Sequence, residues 1–162
     1  MKTSSSPSRA LRLSTLLLAL AGASGLHAGE CPADKLAANA LAQAPSAPMG
    51  VKDTELASID LGRENVKLEQ RRLRMRHMTI APGGVVPLHS HEDRPALIMV
   101  TSGEVMEYSS KCSVGIVHKA GDVAREFQGT QHWWKNLGKV PVNLTIADVV
   151  NDKKPETMQE HM

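Results

Sequence analysis

A series of short apolar segments, separated by turns that contain glycine, extends from Val66 to Val150. There are about eight to ten such segments at a spacing of about ten residues, and their lengths suit strands better than helices. A series of this kind is typical of a closed β-barrel or a β-sandwich. The sequence therefore predicts an all-β domain over residues 66–150.

Apolar and basic residues alternate along residues 71–77, where Leu73 and Met75 stand between arginines. A period of two predicts that Leu73 and Met75 lie on the buried face of a strand. The basic side chains are then expected on its solvated face; they are Arg71, Arg72, Arg74 and Arg76.

The first 28 residues have the pattern of an export signal. A basic start leads into the apolar run Leu11 to Leu20, which is too short to span a bilayer, and small residues follow. Cleavage is expected after Ala28, with Ala23 as the alternative. The pattern predicts a periplasmic or secreted protein. A lipid anchor on Cys31 is not expected, because Glu30 precedes it where a small residue is usual.

The net positive charge of the full chain comes from residues 1–28. Without residues 1–28, 16 Lys and Arg face 17 Asp and Glu, which leaves a net charge near −1. Such a balance favours neither a nucleic acid nor an anionic membrane as the partner. We expect a small-molecule ligand or substrate instead, and exposed strand edges favour a homodimer, although the oligomeric state stays open.

Two cysteines, Cys31 and Cys112, remain after the predicted cleavage. In an oxidising compartment such a pair is expected to form a disulfide, with two separate thiols as the alternative. The alanine- and leucine-rich residues 33–44 predict a short helix between Pro32 and Pro45. Residues 29–65 are accordingly read as helix, linker and first strand, and the polar residues 151–162 as a flexible tail.

Histidines recur in a pattern that suits metal binding. His89 and His91 are two apart, so on a strand their side chains point to the same face, and His132 on a neighbouring strand can converge with them. Three neutral imidazoles around one point are what a divalent transition metal needs. His77 and His118 are expected at the surface or behind the ligands.

These histidines also stand in two spaced motifs. Gly83, five residues, His89-Ser90-His91 and Gly103 match the first motif of the cupin superfamily, and residues 121–136 match the spacing of the second around His132. The chain resembles that superfamily over residues 83–136. The resemblance implies a double-stranded β-barrel, or jelly roll, with His89, His91 and His132 as metal ligands.

Two positions depart from the motifs. Ala96 occupies the place of the family glutamate, and Phe127 that of the second-motif proline. Because alanine cannot ligate, the site is read as three histidines with an open coordination position, which is typical of a catalytic metal. Three imidazoles favour Fe(II) or Zn, with Ni or Cu as alternatives.

Three further residues are candidates for contact with a substrate or with the ligands. Arg94 has the planar fork that binds an anion, or else forms a salt bridge with a nearby acid such as Glu92, Asp93 or Glu126. Glu126 is one of the few acids near the motifs. Asn136 is expected to fix a turn rather than to touch substrate.

The residues leave open whether the protein is an enzyme. One hypothesis is a metal-dependent, dioxygenase-like oxidoreductase acting on a small polar or anionic metabolite. The alternatives are a module that binds a small ligand without turnover and a protein that buffers or senses metal. The substrate does not follow from the fold, because one fold hosts many reactions.

Overall fold

The computed structural model describes residues 29–36, 41 and 43–153. The predicted export signal, residues 1–28, lies outside this part of the chain, as does the end of the predicted tail, residues 154–162. Within the described residues, no helix combines the length and the apolar composition needed to cross a membrane.

Strands carry almost all of the regular structure of the described residues. They are β1 (Met49–Asp60), β2 (Arg71–Ser90), β3 (Ala96–Ser102), β4 (Glu104–Ser109), β5 (Ile116–Lys119), β6 (Val123–Glu126), β7 (Gln131–Lys135) and β8 (Val142–Asn151).

The strands form one sheet in the order β5-β4-β7-β2-β8-β3-β6, and β1 pairs with β2. All of these pairings are antiparallel. The sheet curves into a nearly closed barrel, so the predicted all-β barrel is confirmed. The first half of β2 pairs with β8 and the second half with β7. This long strand therefore carries the chain from the closed body of the barrel to His89.

The interior of the barrel is mostly aliphatic. Its buried cluster joins residues from β2, β3, β4, β6, β7 and β8, including Met78, Ile80, Val100, Leu144 and Trp134. Gly103 adopts a positive φ of 83° between β3 and β4, and a Cβ there would lie 3.1 Å from the Pro141 carbonyl. Glycine tolerates both conditions, which explains why it ends the first motif.

The sequence predicted the wrong buried face for the first half of β2. Arg74 and Arg76 are buried, with exposed fractions of 2% and 3%, whereas Leu73 and Met75 are 39% and 46% exposed. The period of two is correct, but Ile80, which is fully buried, sets the opposite phase for the same strand. Alternation gives the spacing of the two faces and does not say which face is buried.

Acidic partners on other strands compensate the buried arginines. Asp148 of β8 receives two hydrogen bonds from Arg74, each 3.0 Å long, and lies 3.2 Å from Arg76 and 3.6 Å from Arg94. Asp53 of β1 pairs with Arg76. A buried charge costs stability unless it is paired and hydrogen-bonded, and Asp148 is the hub that pairs three cations at once.

The N-terminal segment is attached to the outside of the barrel. Ala33–Lys35 form one 3-10 turn, and Leu36 is extended and bridges to Cys112, so the predicted helix does not continue past Lys35 as far as the chain is described. Cys31 and Cys112 form a disulfide, as predicted. Closing a loop of 81 residues stabilises a fold by at most about 4 kcal/mol in the chain-entropy model.

We predict that Asp148→Asn lowers the free energy of unfolding by about 3–5 kcal/mol, because it leaves buried arginines without their shared carboxylate. Asp152→Asn is the matched control, since Asp152 pairs with Arg72 at the surface, and it should cost less than about 1 kcal/mol. Urea unfolding of both variants measures the difference. Equal losses would contradict a buried hub at Asp148.

Candidate metal centre

Strand pairing brings the three motif histidines together. His89 of β2 lies directly opposite His132 of β7, after a bulge that follows Val86. His91 lies just beyond the end of β2, where its backbone N–H donates to the Thr130 carbonyl at 2.8 Å. All three side chains are buried.

The Nε2 atoms of the three rings form a tight triangle. The separations are 3.1 Å between His89 and His91, 3.0 Å between His91 and His132, and 2.9 Å between His89 and His132. The three nitrogens therefore face one point inside the barrel.

Each ring is held through its other nitrogen. The Nδ1 of His89 donates to the Pro87 carbonyl at 2.9 Å, and the Nδ1 of His91 donates to the Arg94 carbonyl at 2.7 Å. Because a carbonyl only accepts, these Nδ1 atoms carry the ring protons and the lone pairs lie on Nε2. The Nδ1 of His132 faces Glu107 Oε1 at 3.1 Å.

The surroundings push the histidine pKa values apart. Burial, together with the neighbouring histidine and arginine charges, lowers the pKa of His89 and of His91 well below the usual range. Burial also disfavours the charged form of His132, but Glu126 and Glu107 outweigh it and raise the pKa of this ring. A metal that binds at this triangle must displace the second proton of His132.

Glu107 joins two buried histidines behind the triangle. Its Oε2 accepts from His118 Nε2 at 2.7 Å, while its Oε1 faces His132. Burial raises the pKa of Glu107, but the hydrogen bonds from His118 and His132 prevail and lower it. Histidine ligands of metals commonly donate to a carboxylate in this way, which fixes the ring and raises its basicity.

Glu107 and His118 were not predicted at this position. His118 is fully buried and stacks on Trp134 with ring centroids 4.9 Å apart, so of its two predicted locations the one at the surface is wrong. Glu107 shares its strand face with Val105, also buried. The sequence did contain one signal for Glu107, because it is a charged residue at an inward-facing position of a strand with alternating polarity.

The remaining sequence candidates lie in different places. Arg94 is buried and directs its guanidinium to Asp148, an acid that the sequence did not suggest as its partner. Glu126 is buried with Oε1 3.3 Å from His132 Nδ1. Asn136 donates to the Ile80 and Val140 carbonyls and accepts from the Gly138 N–H, so its amide is engaged by backbone.

The donor set fits a transition metal. Three nitrogens bound at about 2.1 Å and at right angles to one another lie about 3.0 Å apart, as these do, whereas tetrahedral angles would need about 3.4 Å. Imidazole donors suit Zn, Fe, Ni and Cu better than Mg or Ca. The described residues thus include a histidine cluster, with carboxylates behind it, that can hold a metal ion.

Two cavities of different character flank this cluster. The one inside the barrel has a volume of about 10 Å³, room for about one water, and apolar residues such as Met78, Val86 and Ile98 share its lining with the histidines. The other, of about 390 Å³, lies beneath the N-terminal segment and has Glu107 and Glu126 in its lining.

The fold and the site together consist of a nearly closed β-barrel and three histidines that converge inside it. Among known protein families, residues 76–148 match the family model described as "Cupin domain". A cupin domain thus occupies residues 76–148 of this chain. No curated protein matches the chain.

Several solved structures are similar to the chain at low identity. A predicted oxalate decarboxylase from Thermotoga maritima is 20% identical, with 67% of this chain and 95% of that chain covered and a TM-score of 0.51. The cupin domain of Schizosaccharomyces pombe Cnp3 is 15% identical, with 65% and 67% covered and a TM-score of 0.49. A recombinant oxalate oxidase in complex with glycolate is 23% identical, with 71% and 59% covered and a TM-score of 0.48. The chain thus spans about three fifths of that oxidase.

We predict that Glu107→Gln lowers the free energy of unfolding by about 1–3 kcal/mol, because an amide cannot accept from both His118 and His132 as the carboxylate does. Glu104→Gln on the same strand is the control, since Glu104 is exposed, and it should stay within about 0.5 kcal/mol of the wild type. Denaturant unfolding of the metal-free proteins measures both. A Glu107 variant as stable as the Glu104 variant would refute the bridging role.

Proposed function

We propose that this protein is an exported metal-binding cupin in which His89, His91 and His132 hold one divalent transition metal. The observation that carries the proposal is the Nε2 triangle with sides of 2.9–3.1 Å. One metal ion held by all three nitrogens, in place of the second proton of His132, would account for such proximity. Fe(II) or Zn is favoured, and Ni or Cu is the alternative.

The proposed activity is a dioxygenase-like oxidoreduction of a small polar or anionic metabolite. A metal with three protein ligands keeps open positions and supplies Lewis-acid or redox chemistry there. The chain itself orients the rings through the Pro87 and Arg94 carbonyls and Glu107. Apolar residues, among them Met78 and Ile98, line the cavity beside the histidines.

The size of the inner cavity favours a second candidate function. The cavity beside the histidines has a volume of about 10 Å³, room for about one water. A protein that binds or senses a metal or a small ligand without turnover would need no more space. A ligand that raises the melting temperature and stays chemically unchanged with metal and oxygen would favour this alternative.

Export and self-association complete the proposal. The Cys31–Cys112 disulfide supports an oxidising compartment, periplasmic or extracellular. A homodimer is supported by apolar side chains exposed on β2 and β3, the two strands that flank β8; they include Leu73, Met75, Leu97 and Met99.

The test is the metal content of the full chain purified from its native compartment. The wild type should carry about one metal ion per chain, and His89→Ala and His132→Ala should each weaken metal binding by more than about 100-fold. The reason is that each substitution removes one of the three nitrogen donors. Elemental analysis and metal titration give both values.

His77→Ala provides the matched control, because His77 lies on the same strand and hydrogen-bonds with Thr79 outside the cluster. It should bind metal as the wild type does. A wild type without stoichiometric metal, or His89→Ala with undiminished affinity, would contradict the proposed metal centre.

A further inference from the structure

Four side chains of adjacent strands form a row across the barrel wall. Glu126 of β6 pairs with Ala96 of β3, Ala96 pairs with Asp148 of β8, and Asp148 pairs with Arg74 of β2. All four are buried. Directly paired residues have Cβ atoms about 5 Å apart, so an acid stands on each side of the small Ala96.

The two acids of this row have different partners. Asp148 is held by arginines, with Arg74 bonding to both of its oxygens. For Glu126, the ionic contact found among the described residues is with the Nδ1 of His132, at 3.3 Å. Glu126 is therefore directed toward the histidine cluster and not toward the arginine hub.

One carboxylate at the Nδ1 of His132 is sufficient to orient the ring, and Glu126 is a second one. The Nδ1 of His132 already contacts the Trp134 indole N–H, at 3.0 Å, and Glu107, which lies closer than Glu126, at 3.1 Å, and is itself fixed by His118. Burying another carboxylate, 3% exposed, costs stability unless positive charge compensates it. A divalent ion on the opposite side of the same imidazole would provide that charge.

We propose that Glu126 is a positioning residue that supplies, through His132, the negative charge that a carboxylate at position 96 would otherwise bring to the metal. The inference rests on the proposed metal centre. Its basis is the pairing of Ala96 with Glu126 and the contact of Glu126 with the outer nitrogen of a ligand. Glu126 acts through its negative charge. A neutral side chain of the same shape should therefore abolish its effect on the metal.

The first test is Co(II) titration of the full chain, followed by visible absorption. Glu126→Gln keeps the shape of the side chain and should lower Co(II) affinity by about 10–100-fold, the usual effect of losing an outer carboxylate. The absorption bands of bound Co(II) should shift, because His132 becomes a weaker donor. Glu92→Gln, which removes an exposed charge next to His91, should change neither quantity.

The second test moves the carboxylate along the row. The Glu126→Ala variant should bind Co(II) weakly. The double variant Glu126→Ala with Ala96→Glu should bind Co(II) at least about 10-fold more tightly than Glu126→Ala, because it has a carboxylate again, on the adjacent strand. Glu126→Gln with wild-type affinity and spectrum, or a double variant no better than Glu126→Ala, would overturn the inference. A wild type that binds no Co(II) would refute the metal centre itself, so the two failures are distinguishable.

Discussion

Three imidazole nitrogens meet within 3.1 Å of one another inside this barrel, and the surrounding structure serves to keep them there. Two rings are fixed by backbone carbonyls of their own loop, at Pro87 and Arg94. The third is fixed by Glu107, which is anchored in turn by His118. The arrangement is preorganised because the supporting contacts come from rigid strands and from the backbone.

The interior of the barrel separates its charges around this point. On β2 and β8, Arg74 and Arg76 share Asp148, and Arg94 approaches the same carboxylate. On the other side of the histidines, Glu107 and Glu126 face the outer nitrogen of His132. Glu107 and Glu126 place negative charge near the histidines, which would compensate a bound cation, whereas Asp148 is already paired with arginines.

Sequence spacing was sufficient for the parts of the site that depend on local geometry. His89 and His91 share a face because they are two apart on a strand, and the motif spacing places His132 opposite them. The absence of a carboxylate at position 96 could also be read directly. The all-β barrel and the Cys31–Cys112 disulfide followed from segment spacing and cysteine count, and both are present.

Features that depend on distant pairing could not be read in this way. Arg74 is buried because Asp148, 74 residues later, is its cross-strand partner. The alternation of β2 contained no information on its phase, and the apolar Leu73 and Met75 favoured the wrong face. The position of Glu107 required knowledge that β4 pairs with β7, which brings it beside His132, and with β5, which brings it beside His118.

The most direct test of this account is an anomalous-difference map from crystals of the metal-loaded full chain. We predict one peak per chain, about 2.1 Å from the Nε2 atoms of His89, His91 and His132. A peak on the other side of His132, between Glu107 and Glu126, or the absence of a peak at the triangle, would contradict it.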